Sequence, residues 1–117
     1  MLRFYWYPKC GTCRNAKKWL DEHKVEYEAI DLVETPPSED ELLTMMKASD
    51  LPSKRFFNSS GKKYRELGLK DKVGDMSLEE QANVLASDGM LIKRPLATDG
   101  RDVTAGFKQD EYEAKWL

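Results

Sequence analysis

A mixed α/β sheet covered by helices is the fold that these 117 residues predict. Three observations carry that expectation. An aromatic, β-prone segment, a helix and a second strand follow one another at the N-terminus. Several short helices fill the middle. A turn dipeptide, Asp99-Gly100, separates two short β-prone runs near the C-terminus. A parallel pair joined by a crossover helix, with an antiparallel hairpin added, builds such a sheet.

Leu2 to Tyr7 is rich in aromatics and bounded by Pro8, which makes it a strand. Arg14 to Lys24 reads as a helix, with Ala16, Trp19, Leu20 and His23 at helical spacing. Val25 to Leu32 alternates through Val25, Tyr27 and Ala29 and then shifts register to Ile30 and Leu32, giving a second strand. Thr35-Pro36-Pro37 breaks the chain. Ser38 and Glu41 form a capping box, and Leu42, Met45 and Met46 are the apolar stripe of the helix behind it. Ser53 to Asn58 and Lys62 to Leu67 read as short helices, the second stopped by Gly68. Ser77 and Glu80 form another capping box, opening a helix through Ala82 and Leu85 to about Ser87. Met90 to Lys93 reads as a third strand, ended by Arg94-Pro95. Asp99-Gly100 signals a two-residue hairpin between Leu96–Thr98 and Arg101 to Ala105. Gln109 to Leu117 is helical, with Tyr112 and Trp116 one turn apart. Taken in order, the arrangement is thioredoxin-like, in one domain over residues 1–117.

Composition narrows the class. Apolar residues make up 40% and charged residues 34%, a globular balance. The net charge of −2 does not suit a strongly basic nucleic-acid binder, so no direct DNA binding is expected. No apolar run approaches the roughly 20 residues of a membrane span, and Met1 to Lys9 lacks a signal-peptide layout. A cytoplasmic location follows as the expectation, where disulfides are usually transient and catalytic.

The chemistry-bearing motif is Cys10-Gly11-Thr12-Cys13, between the first strand and the first helix. The thiolate is the nucleophile, and a free thiol titrates near pH ~8.5. A helix start offers unpaired N–H groups and the positive end of the dipole. Lys9 and Arg14 flank the pair, and Lys17 follows a turn later; all three favour a thiolate. Gly11 leaves room for a tight turn, and Thr12 offers its hydroxyl to a free N–H. Cys10, at the exposed helix start, is the expected attacking thiol, and Cys13 the resolving one. Zinc is disfavoured: a structural site wants four ligands, and the chain adds only His23 to the two cysteines. Inert core cysteines are a further alternative, made less attractive by the strand-turn-helix setting. No cofactor and no metal are expected.

Arg94-Pro95 poses a second question. Arg94 is either a solvated strand end or an oxyanion ligand for the dithiol, through its planar fork of donors; spacing alone leaves both open. His23 reads as a surface residue at a helix C-terminus. The basic stretch Lys54, Arg55, Lys62, Lys63 and Arg65 reads as the solvated face of short helices, and Trp6, Trp19 and Trp116 as core.

Several segments together carry a family resemblance. These are Tyr7-Pro8-Lys9-Cys10-Gly11-Thr12-Cys13-Arg14, Pro36-Pro37-Ser38, Tyr64-Arg65-Glu66-Leu67-Gly68-Leu69, and the run from Asp88 through Arg94-Pro95-Leu96. The chain resembles the arsenate-reductase-like (ArsC) and Spx family, and within it the YusI-type, Spx/MgsR-like branch. The resemblance implies a thioredoxin-like fold: a mixed four-stranded sheet, flanking helices and a helical insertion between the second and third strands. It implies a cis bond before Pro95, which would position substrate. The family's catalytic cysteine falls on Cys10 and one oxyanion arginine on Arg94, with Arg14 and Thr12 as further anion-binding candidates. A second family arginine falls on Asn58, so that ligand is missing, and Arg101 is near a third. The glutathione-linked enzymes usually have Ser where Cys13 stands, which favours an internal Cys10–Cys13 disulfide. Three functions stay open: a thiol-disulfide oxidoreductase recharged by thioredoxin, glutaredoxin or a low-molecular-weight thiol; an arsenate reductase; and an Spx-like redox-sensing regulator that binds RNA polymerase.

Overall fold

The computed structural model describes residues Met1–Leu117. Its sheet has four strands in the order β2-β1-β3-β4: β1 Leu2–Trp6, β2 Tyr27–Asp31, β3 Leu96–Thr98 and β4 Val103–Ala105. β1 and β2 are parallel, joined by α1 (Gly11–Glu22). β3 is antiparallel to both β1 and β4. The mixed, helix-flanked sheet expected from the sequence is the one present.

Alternation along the strands sorts the core into two layers. Leu2, Phe4 and Ala97 pack with Ala16, Trp19 and Leu20 of α1 and with Tyr112 of α5 (Gln109–Trp116). Tyr5, Leu96, Val103 and Ala105 face the other way. They meet the helical insertion between β2 and β3, chiefly α2 (Glu39–Ala48) and α4 (Leu78–Ser87). Each buried Leu or Phe contributes about 1.5–3 kcal/mol of apolar burial, so both layers hold the sheet. Between α2 and α4 run a 3-10 turn at Ser53–Phe56, the short α3 (Lys62–Glu66) and two further 3-10 turns.

Both capping boxes form as expected: Ser38 with Glu41, and Ser77 with Glu80. α3 ends before Gly68, whose φ of +63° suits glycine. Three expectations need correction. α1 starts at Gly11, three residues before Arg14, because the Cys10 side chain accepts the Cys13 N–H and caps the helix. Met90–Lys93 is not a strand. Gly89–Leu91 is a 3-10 turn capped by Asp88 Oδ1 on the Met90 N–H, and Ile92 makes only an isolated bridge to Phe57. The third strand is Leu96–Thr98. The hairpin loop spans Asp99 to Asp102 rather than two residues, with Gly100 at φ +95°. Asp99 Oδ1 accepts the Arg101 and Asp102 N–H groups, and Thr98 Oγ1 accepts that of Gly100, which holds the longer loop.

Candidate active site

The two cysteines sit at the seam between β1 and α1. Beyond Trp6 the chain turns through Pro8-Lys9, closed by the Cys10 N–H donating to the Tyr7 carbonyl at 2.9 Å. Cys10 is the N-cap of α1, with extended backbone (φ −91°, ψ 119°). Its Sγ lies 3.4 Å from the Cys13 nitrogen, in the acceptor position that Ser or Asp usually fills. A thiolate there meets both the open N–H groups and the positive end of the helix dipole.

Both thiols are free, Cys10 partly exposed and Cys13 fully buried. Their acidities are driven apart. Partial burial pushes the Cys10 thiol up, but the Cys13 thiol, the Cys13 N–H and the Arg94 guanidinium together outweigh it, and the thiol is held below its ordinary value. Burial pushes Cys13 up to about 12; a backbone contact with Tyr7 opposes this and neighbouring Cys10 adds to it. One sulfur is therefore drawn toward its thiolate form and reachable, and the other holds its proton and is sealed, one helical turn away.

Arg94 is the cation that acts on Cys10. Its guanidinium also stacks on Tyr7, 5.3 Å from the ring centroid. Its Nη1 is buried without a hydrogen-bond partner, so a donor of fixed charge is left open beside the thiol. Arg94 is therefore part-buried against Tyr7 and near enough to Cys10 to help hold its thiol below the ordinary value, rather than a fully solvated strand end. The Arg94–Pro95 peptide bond is cis and Pro95 is buried at the start of β3.

The other candidates lie elsewhere. Arg14 Nη1 donates to the Pro8 carbonyl at 2.9 Å, so it braces the loop below Cys10. Lys17 turns away to Asp21 at 3.2 Å and to the Trp6 and Tyr27 rings, and does not serve the thiol as the sequence suggested. Thr12 is exposed, and its hydroxyl makes no hydrogen bond within the chain; the Cys13 N–H is met by the Cys10 sulfur. Arg101 is at the far end of the sheet: β1 and β3 pair Tyr5 with Leu96 and Arg3 with Thr98, so a residue beyond Thr98 lies away from Cys10. Asn58 shares with Arg94 the wall of a cavity of about 300 Å³, lined also by Gly61, Lys63 and Met90. His23 is exposed and stacked on Trp19 at 4.0 Å. Two further cavities lie against Arg3 and Glu41 and between α2 and α5, away from both sulfurs. No three His, Cys, Asp or Glu side chains converge as metal ligands. No helix is long and apolar enough to cross a membrane.

Sequence reasoning missed Tyr7, the stacking partner of Arg94, and took Arg55 for a solvated cation although its Nη2 donates to the Ala105 carbonyl at 3.2 Å. An aromatic immediately before the Pro8 turn was the available signal for the first. The second is a contact across 50 residues, with no signal in spacing.

Comparison with known proteins finds likenesses over nearly the whole chain. The ArsC family model matches residues 5–115. YusI of Bacillus subtilis (strain 168) is 61% identical over 115 residues, covering 98% of each chain. The global transcriptional regulator Spx of Streptococcus mutans is 27% identical over 114 residues, covering 97% of this chain and 82% of Spx. The crystal structure of a possible arsenate reductase from Streptococcus mutans UA159 superposes with a TM-score of 0.90 at 47% identity, covering 97% of this chain and 98% of that one.

Proposed function

The chain belongs to the ArsC family, and from that premise and the setting of its two sulfurs we propose that it is a thiol-disulfide oxidoreductase, acting as one thioredoxin-like domain over residues 1–117. The observation that carries this is the part-exposed Cys10 sulfur at the N-cap of α1, 3.4 Å from the Cys13 nitrogen, with the buried Cys13 thiol one turn on.

The Cys10 thiolate attacks one sulfur of an oxidised substrate. The substrate S–S bond breaks, a mixed disulfide with Cys10 forms, and the other sulfur leaves as a thiolate that takes up a proton. Forming that bond removes the negative charge on Cys10, which was one of the influences holding the Cys13 proton in place. Cys13 then loses its proton and attacks Cys10 Sγ. The second substrate thiolate leaves and a Cys10–Cys13 disulfide remains. Two electrons have passed from the pair to the substrate. A dithiol protein such as thioredoxin or glutaredoxin, or a low-molecular-weight thiol, returns them. Arg94 supplies charge beside the reacting sulfur, and Pro95 shapes the surface against which substrate lies. Arg14 and Thr12 are exposed donors at the rim.

The test is a disulfide-reduction assay with thioredoxin or a small thiol as electron source. Cys10→Ser is expected to abolish turnover, and Cys13→Ser to trap a mixed disulfide visible by mass. Wild-type turnover equal to that of Cys10→Ser overturns the reading.

Arsenate reduction is a second reading, favoured by the unpartnered Arg94 Nη1 beside Cys10 and by the likeness to the Streptococcus mutans structure. Asn58, where the family has a further arginine, and Cys13, where the glutathione-linked enzymes have serine, weigh against it. Arsenite production from arsenate that depends on Cys10 supports it; its absence with both protein and small-thiol donors removes it. The likeness to Spx raises a regulator reading, tested by co-purification with RNA polymerase in the oxidised and reduced states; no polymerase contact in either state removes that one.

A further inference from the structure

The dithiol end of the sheet carries cations that no carboxylate answers. Strand register defines that end: Tyr5 pairs with Leu96, and Leu96 with Ala105, so the loop after β1, the Arg94-Pro95 segment and the Ala105-Gly106 bend lie together. Arg55 reaches that bend from its 3-10 turn and donates Nη2 to the Ala105 carbonyl at 3.2 Å. Lys93 lays its side chain across Gly106, its Cε 3.3 Å from where a β-carbon would project. Gly106 is buried and has φ +87°, so a side chain there is opposed by backbone strain as well as by the lysine. The bend is thus kept bare where Lys93 crosses it.

Neither Arg55 nor Lys93 takes part in an ion pair; those of the molecule use Arg3, Lys17, Lys18, Lys62, Lys63 and Lys115. Two candidate acids are engaged elsewhere. Asp31 accepts the N–H groups of Val33 and Glu34, and Asp88 accepts that of Met90 and pairs with Lys63. The chain as a whole is slightly acidic, at −2, so this accumulation is not a by-product of a basic protein.

We propose that Arg55 and Lys93 form an anion-recognition subsite at the dithiol end of the sheet, and that the oxidised substrate is a disulfide bearing a carboxylate near its reactive sulfur. This rests on the thiol-disulfide reading above and names the substrate class for it. The Arg55 fork, fixed on one side by the Ala105 carbonyl, keeps its remaining donors for a planar carboxylate. Lys93 adds a point charge next to it. Such half-buried charges steer and hold an anionic partner, and salt weakens them. A small acidic disulfide and a peptide disulfide flanked by acidic residues present the same chemistry.

The test uses two disulfides that differ in charge and report by colour: dithiobis(nitrobenzoate), a dianion, and dithiodipyridine, its neutral counterpart. Their rates with Cys10 are compared in the wild type, Lys93→Glu, Lys93→Arg and Arg55→Gln. The anionic-to-neutral rate ratio is expected to fall about three- to tenfold in Lys93→Glu, less in Arg55→Gln, and to survive in Lys93→Arg. It is expected to fall with salt in the wild type. Lys93 is part-exposed, so these variants fold, and the neutral reagent's rate checks that Cys10 is intact. Oxidised glutathione and a cystinyl peptide flanked by glutamates, each set against a neutral analogue, then separate the two sources; preference for either acid supports the subsite. A ratio unchanged by Lys93→Glu, with the neutral rate preserved, overturns it. A Cys10 that reacts with neither reagent above the Cys10→Ser background overturns the thiol-disulfide reading itself, a distinct failure.

Discussion

The two ends of β1 treat charge in opposite ways. At the start of the strand, Arg3 is paired with Glu41 at 2.6 Å, and Glu41 also accepts from the Tyr5 hydroxyl at 3.3 Å and closes the capping box of α2. Arg3, Tyr5 and Glu41 are all partnered there. At the end of the strand, Cys10 is drawn toward its ionised form, the Arg94 Nη1 has no partner, and Arg55 and Lys93 meet no acid. Saturated charge is a structural device, since its interactions are complete before any ligand arrives. Unsaturated charge costs stability and persists where something else is to complete it. One strand thus separates the scaffold end of the molecule from the reactive one.

Substitutions at the two ends sharpen or break that contrast. The largest expected effect is Cys10→Ser, which removes the nucleophile: reaction with disulfides is lost, while urea unfolding changes little because serine also caps helices. Next is Arg94→Leu. Its loss raises the Cys10 thiol value, so less thiolate is present and alkylation at neutral pH slows. Stability holds or rises, since an unpaired buried donor is removed. A marked loss of stability in Arg94→Leu would place Arg94 with the scaffold and break the comparison.

Cys13 gives a stability signature in alkali. The folded state holds its proton to about 12, while the unfolded chain releases it in the ordinary thiol range. The folded form then binds more protons, so stability falls as pH rises from that range toward 12. Cys13→Ala is expected to flatten this limb in chemical denaturation at several pH values. Glu41→Gln gives the smallest effect. Glutamine still closes the capping box, so only the charge is lost, at about 0.5 kcal/mol for so exposed a pair. The Ser38 N–H is the first cause holding the Glu41 carboxyl below its usual value, with Arg3 adding to it against partial burial. Its contribution is therefore present above the unfolded carboxyl value and lost as pH falls through the folded one. Glu41→Gln removes that acid dependence without moving the Cys10 rate.

Much of this was legible from local chemistry. Ser38–Glu41 and Ser77–Glu80 are spacings that a helix start imposes on itself, and both were read correctly. The dithiol's place between strand and helix was also legible, but the helix boundary was not, because sulfur is not among the usual capping acceptors. Met90–Lys93 misled for a tertiary reason. Leu91 and Ile92 are both fully buried, and Gly89 lies against the Leu32 backbone, leaving no room for a side chain. Packing claimed a segment whose composition favours a strand. The positions of Arg94 over Tyr7 and of Arg55 on Ala105 depend on how β3 and β4 join β1, and no spacing in the sequence encodes that.

The central claim is that Cys10 is an ionised nucleophile whose charge Arg94 helps to hold. Its most direct test is the alkylation rate of Cys10 against pH with Cys13 in place, buried and holding its proton to about 12, followed with and without Arg94→Leu. The expected curve has its midpoint below the ordinary thiol value and moves upward when Arg94 is lost. A midpoint at or above the ordinary value, indifferent to Arg94, would contradict it.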